Sequence, residues 1–250
     1  YRLAVKALSS ADTMYAEVNS GNAAAVYDDF PVLNYGIKQG NGLKTVTPKE
    51  AGASYGFAVA RGQKPELLAA FNVGLAALRA DGTYADIVEK YLGPQPGLRA
   101  TTVEAVKGKT YVIATDTTFA PFEFRDASGN LTGIDMDLIR EIAKRQGFSV
   151  DIQSVGFDAA LQAVQSKQAA GVIAGMSITD ERKKVFDFSD PYFASGIQMA
   201  VKASDATTKG YGDLAGKTVV AKTGTEGLAL ATKLGQQYGF AVKALSSADT

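Results

Sequence analysis

Apolar positions along the chain switch between two periods. Residues 110–115 (Thr-Tyr-Val-Ile-Ala-Thr) form a short apolar run of the buried-strand kind, and 149–153, 185–188 and 217–221 read the same way. Between them the spacing turns helical. Pro65 opens a run in which Leu67, Leu68, Phe71, Leu75 and Leu78 share one face, with Gly82 to close it. A second helix follows over 84–91, another over 136–146 with Leu138, Ile139, Ile142 and Ala143 inward, and another over 157–166. Nearer the start, 11–19 reads as helix and 23–27 as strand, and Pro31 suits the first turn of a helix running to Lys38. Residues 43–46 and 55–60 are extended, and 192–201 holds an extended crossing segment. This alternation predicts α/β lobes with parallel sheet, where ligands collect at the carboxyl ends of strands. Asp29, Asp116, Ser177 and Lys222 all fall at such ends.

The pattern also repeats. Residues 1–13 read YRLAVKALSSADT and residues 238–250 read YGFAVKALSSADT, identical at eleven of 13 positions. Both copies predict a strand (3–8 and 240–245) and then a helix start at Ser-Ser-Ala-Asp. One domain needs that element once. Two copies point to a cut through a tandem array or to a circular permutation with overlapping ends. The Pro/Gly-rich stretch from Gly93 to Thr102 lacks periodicity and reads as a linker.

The densest chemistry lies in 174–190. Ala174 ends an apolar run, Gly175 and Ser177 turn the backbone, and Thr179 and Asp180 read as helix starters. Arg182 then stands early on the predicted helix. A guanidinium fork, a hydroxyl and unpaired backbone N–H groups suit a carboxylate. The plain alternative is a capped surface helix carrying ordinary charges. Asp29 likewise reads either as the N-cap of the helix that follows it or as a ligand group.

Composition narrows the chemistry. Lys+Arg and Asp+Glu are both 26, so the chain has no basic excess of the kind nucleic-acid binders carry. It has no His and no Cys, which removes thiol nucleophiles, Ser-His-Asp relays, the usual zinc sites and disulfides. No metal or cofactor is expected. No apolar run approaches the roughly 20 residues that span a bilayer. No signal-peptide pattern stands at residue 1, so a targeting segment does not fix the compartment. The strand ends combine cations (Arg182, Lys222), anions (Asp29, Asp116), apolar walls (Phe119, Phe157) and a Gly-rich turn beside Thr225. A ligand with both carboxylate and ammonium fits this mixture better than a pure anion. Lys222-Thr-Gly-Thr is no phosphate loop, because the lysine precedes the glycine and GxxxxGK[ST] is absent.

Several motifs together carry a resemblance: Asp116-Thr-Thr-Phe-Ala-Pro-Phe-Glu-Phe124, Gly133-Ile-Asp-Met-Asp-Leu138, the 174–190 stretch, Lys222-Thr-Gly-Thr225, Asp28-Asp-Phe-Pro31, Tyr55-Gly-Phe-Ala-Val59 and the helices from Phe71 to Tyr91. As a set they resemble the extracytoplasmic polar-amino-acid-binding proteins of bacterial ABC importers, most of all the glutamine binders. The family's usual order would begin near Lys109, run to Thr250, resume inside 1–13 and end near Gly93, so this chain is rotated against it. The resemblance implies a two-lobed α/β periplasmic-binding-protein fold of type II. It places lobe one at 53–92 plus 107–194 and lobe two at 199–250 plus 1–46. Hinges fall at 195–198 and 47–52, and 93–106 joins the family's usual ends.

The resemblance also implies residue roles. Arg182 would grip the ligand α-carboxylate with Ser177 and the backbone near Thr225. Asp29 and the Gly175 carbonyl would take the α-ammonium. Asp116 and Lys222 would meet a side-chain amide, Phe119 and Phe157 would sandwich the stem, and Ala174-Gly175 matches the glutamine binders. An amide offers both a donor and an acceptor, which an Asp and a Lys satisfy together. Glu226 departs from the family, where a small residue is common after Thr225. The implied partners are an amino acid and a membrane permease, and the duplicated strand adds a strand-swapped or edge-paired homodimer. The rival readings are a dehydratase-type enzyme on the same scaffold and a sensory ligand-binding domain.

Overall fold

A computed structural model describes residues 10–94, 108–116 and 118–245 of the chain. The predicted strand at 3–8 and most of the predicted linker at 93–106 lie outside these. The described elements run α1 (Ser10–Ser20), β1 (Ala25–Asp29), α2 (Phe30–Lys38), β2 (Leu43–Thr45), β3 (Glu50–Ala51), β4 (Ala58–Ala60), α3 (Pro65–Ala80) and α4 (Thr83–Leu92). They continue as β5 (Thr110–Thr115), β6 (Thr118–Phe119), β7 (Glu123–Arg125), β8 (Leu131–Thr132), α5 (Ile134–Gln146), β9 (Ser149–Ser154), α6 (Phe157–Gln165) and β10 (Gly171–Val172). The last are β11 (Phe186–Phe188), β12 (Gly196–Lys202), β13 (Thr218–Lys222), α7 (Glu226–Tyr238) and β14 (Ala241–Leu245). The chain divides into two compact units: a continuous one, Ala53–Ser195, and a composite one, Tyr1–Gly52 with Gly196–Thr250.

In the continuous unit the main sheet has the order β11-β4-β10-β5-β9, with β9, β5 and β10 parallel and β4 antiparallel to both its neighbours. A second, antiparallel sheet has the order β6-β7-β8. The apolar stripe of α3 does what its spacing predicts: Leu67, Phe71, Leu75 and Leu78 are all buried. Gly74 lets α3 approach α5, since a Cβ there would stand 2.7 Å from Ile142. A second stripe, Ile134, Leu138, Ile139 and Ile142, makes the inner face of α5, which is closed by Gly147 in the left-handed region at φ 72°. Each such aliphatic or aromatic side chain contributes about 1.5–3 kcal/mol on burial.

The composite unit is built on one sheet of order β14-β13-β1-β12-β2, with β3 also pairing with β12. The strands β14, β13 and β1 are parallel, and β12 runs against β1. Side-chain alternation splits its core in two. Val26 of β1 and Val220 of β13 face α1, with Ala11, Met14, Val18 and Leu245. Tyr27, Val219 and Ala221 face the other way, with Ala231 and Phe240. The edge strand β14 is the C-terminal copy of the repeat, and its Leu245 packs against α1, which begins in the N-terminal copy.

One sequence expectation fails here. The helix expected from Thr179 onward is a single 3-10 turn, Arg182–Lys184. The Thr179 hydroxyl does accept the Arg182 N–H, at 3.2 Å. The chain must then be extended by Phe186 to pair with β4, which leaves no room for a second turn.

Candidate functional site

Three parallel strands of the continuous unit end at one edge of its sheet. Asp116 follows β5 directly, Phe157 opens α6 just after β9, and Ala174, Gly175 and Ser177 follow β10. Asp116 is fully buried, which is rare for an aspartate at a strand end unless something polar engages it. Ala174 packs in the same apolar cluster as Phe157. Gly175 is in the left-handed region at φ 53°, and a Cβ on it would stand 2.2 Å from the Phe119 ring, so only glycine lets the turn lie against that ring. Phe119 in turn packs edge-on against Tyr55, with centroids 6.1 Å apart.

Arg182 is half-buried and held from two sides. Its guanidinium lies over the Phe157 ring, 5.3 Å from the centroid, and its Nη1 donates to the Ser177 carbonyl at 2.9 Å. The cation–π contact and the bond to the Ser177 carbonyl steady the guanidinium, whose fork suits a carboxylate. The structure therefore brings together Arg182, Phe157 and Ser177, and separately Gly175 and Phe119, on one edge of the continuous unit.

The remaining candidates belong to the composite unit. Asp29 ends β1 and Lys222 ends β13, and both are buried, 5% and 4% exposed. Asp29 stands at the N-cap position of α2, but its side chain makes no capping bond, which removes the plain reading of that residue. Thr225 caps α7: its hydroxyl accepts from the Leu228 N–H at 3.2 Å and donates to the Lys222 carbonyl at 2.7 Å. Glu226, the departure from the family, is the first residue of α7 and is half-buried.

Two groups of residues were not foreseen as site residues. Asp28 is buried, and its Oδ1 accepts the Asp29 N–H at 2.9 Å. Burial, and then the adjacent Asp29 charge, push its carboxyl well above the usual range, against the bond from Asp29 and the Lys222 ammonium. The sequence signal was two carboxylates in succession at the end of an apolar strand. In the continuous unit, fully buried Tyr55 forms isolated bridges to Ser177 and Phe193, and Tyr192 is buried near it. Their signal was tyrosine at otherwise apolar strand positions. Among the described residues, no cluster of three or more acidic or other metal-binding side chains is placed to hold a metal ion.

One unit has an arginine over an aromatic ring near the carboxyl ends of its parallel strands, and the other has buried Asp29 and Lys222 at its strand ends, an arrangement that suits a small zwitterionic solute. Comparison with known proteins identifies the family: the family model for bacterial extracellular solute-binding proteins, family 3, matches residues 111–239, just over half of the chain, and the chain belongs to that family. It is 34% identical over 132 residues to the arginine-binding extracellular protein ArtP of Bacillus subtilis (strain 168), covering 53% of this chain and 51% of that one. It is 38% identical over 117 residues to the L-cystine-binding protein TcyJ of Escherichia coli (strain K12), covering 46% and 44%. Among solved structures, an ancestral arginine-binding protein bound to arginine matches with a TM-score of 0.50 and 38% identity, over 55% of this chain and 61% of that chain. The chain thus spans about half the length of the curated relatives it matches. Those relatives are named as binding proteins, not as enzymes.

Proposed function

We propose that this chain is an extracytoplasmic binding protein that closes on a polar L-amino acid, L-glutamine first, for uptake by an ABC importer. The observation that carries the reading is Arg182, stacked on Phe157 and tied to Ser177 at a strand-end edge of a family 3 solute-binding protein. In this reading Arg182 and Ser177 take the carboxylate, and Asp29 with the Gly175 carbonyl takes the ammonium. Phe119 and Phe157 flank the stem, Ala174 lines the turn, Asp116 and Lys222 meet the side-chain amide, and the backbone by Thr225 completes the grip. Seven of these ten residues belong to the continuous unit and three, Asp29, Lys222 and Thr225, to the composite one, and in this reading the ligand favours whichever state it contacts best.

Glutamine is preferred because Lys222 is a buried ammonium, which repels a cationic side chain. A second reading, a cationic amino acid, is favoured by the arginine-binding names among the relatives. Thermal-shift measurements against the twenty amino acids separate the two. At 100 times the dissociation constant the expected ligand adds about 2.7 kcal/mol of stability. A shift with arginine or lysine and none with glutamine overturns the glutamine assignment, and no shift with any amino acid overturns the binding function.

The rotated chain order belongs to the same proposal. What supports it is the repeat, together with Leu245 of β14 packing on Ala11 and Met14 of α1. In the usual order that helix would directly follow that strand. The two copies of Ala-Val-Lys-Ala-Leu then suit one sheet position, which β14 fills; the other copy, residues 4–8, lies outside the described residues, and in this proposal it pairs with another molecule. Light scattering of a dimer is the expected result, and a purely monomeric species at high concentration contradicts the pairing.

A further inference from the structure

The motif Gly133-Ile-Asp-Met-Asp-Leu138 has no part in the contacts assigned above, yet both of its carboxylates are buried, Asp135 fully and Asp137 nearly so. They reach in different directions. Asp137 Oδ2 accepts from Lys90 Nζ at 2.7 Å and from the Tyr91 hydroxyl at 2.8 Å, which fastens α4 to the start of α5. Asp135 reaches toward the loop after β10. Its Oδ2 accepts the Gly175 N–H at 2.8 Å and the Tyr192 hydroxyl at 2.8 Å.

Gly175 is therefore fixed at two points. Its N–H is tied to Asp135, and its α-carbon lies against the Phe119 ring in a left-handed conformation. With the N–H direction and φ set, one torsion remains to decide where the Gly175 carbonyl looks. A carboxylate is the strong acceptor for this, because a charged acceptor roughly doubles the strength of a backbone hydrogen bond.

We propose that Asp135 is a positioning residue for the amino-acid site: by holding the Gly175 N–H it sets the turn whose carbonyl receives the ligand ammonium. The proposal rests on the functional reading above. Its surroundings make the grip sensitive to pH. Burial pushes the Asp135 carboxyl up to about 6, against hydrogen bonds from the Gly175 N–H, the Tyr192 hydroxyl and the Glu123 carboxyl. The titratable groups that face it are Glu123 of β7, Tyr192, and Tyr84 of α4, with Tyr55 behind Tyr192. Glu123 is itself fully buried. Above the titration Asp135 is a charged acceptor for Gly175. Below it the acceptor is neutral and the turn is held less firmly.

The test pairs a direct readout of the contact with a readout of binding. In ¹⁵N-labelled wild type without ligand, the Gly175 amide resonance shifts with pH between 5 and 8, and in Asp135→Asn it does not. In calorimetry with L-glutamine, Asp135→Leu lowers affinity tenfold or more. Asp135→Asn, which keeps an acceptor oxygen, restores most of that and loses the wild-type weakening below pH 6. A Gly175 resonance in wild type that ignores pH overturns the proposal, and so does an Asp135→Asn profile that follows wild type. Should Asp135→Leu fail to fold, the asparagine variant still decides. If Gly175 titrates but wild type binds no amino acid, the functional reading fails while the Asp135 hold on the loop stands.

Discussion

The two units present different strand-end chemistry on differently assembled frameworks. The continuous unit, Ala53–Ser195, carries aromatic rings, a guanidinium over one of them and the single carboxylate Asp116 at or just beyond the ends of β5, β9 and β10. Its turn at Gly175 is held by Asp135 from another element. The composite unit carries carboxylates and one buried ammonium at the ends of β1 and β13. Its edge strand comes from the C-terminal end of the chain, and the helix packed on that strand's Leu245 comes from the N-terminal end. Arg182, the proposed anchor, therefore sits where its contacts to Phe157 and Ser177 lie within one run of chain. The second half sits where folding must join distant ends, which carries a larger loop-closure cost.

Mutations at matched depth sharpen that contrast. Phe71→Ala removes a fully buried ring that stacks on Phe57 at 4.7 Å, and it should cost about 3–5 kcal/mol, read by chemical denaturation of the continuous unit. Arg182→Ala should leave the fold intact and cost about 2–5 kcal/mol of ligand binding by calorimetry, because a buried ligand carboxylate loses its partner. Leu245→Ala sits on an edge strand, and about 2 kcal/mol is expected, confined to the composite unit in hydrogen exchange. An equal loss in both units would break the distinction between them. Glu181→Gln removes a pair with Lys184 whose side chains are 80% and 66% exposed, and a change of about 0.5 kcal/mol or less is expected in either stability or affinity. A large effect there would mean that the charges beside Arg182 act on the ligand as well.

Much of this contrast was legible from residue spacing. The strand Thr110–Thr115 and the helix from Pro65 follow from an unbroken apolar run and a clean helical stripe with end signals. Placing Asp29, Asp116 and Lys222 at strand ends needed only strand boundaries of that kind, whereas Ser177 lies beyond the end of β10 at Val172. Arg182 stood out for its neighbours in sequence, but its support did not. The Thr179 start signal is real, yet the pairing of β11 with β4 overrides it, a tertiary demand that local pattern does not carry. Asp28 and Asp135 were hidden for another reason. Charged side chains read as surface, and both are buried here, Asp28 beside Lys222 and Asp135 under Gly175 and Tyr192. Long-range hydrogen bonds reveal the role of Asp135, whereas burial beside Asp29 marks out Asp28. That one unit draws on both ends of the chain followed from the family resemblance together with the repeat, whereas the packing of Leu245 on α1 needed the fold.

The central claim is the proposed one, that an amino acid binds the residues assigned above. Hydrogen exchange with and without saturating L-glutamine tests it most directly. The account predicts slowed exchange in two places at once: residues 173–182 of the continuous unit, and residues 222–229 with 28–33 of the composite unit. Protection confined to one unit, or to neither, would contradict it.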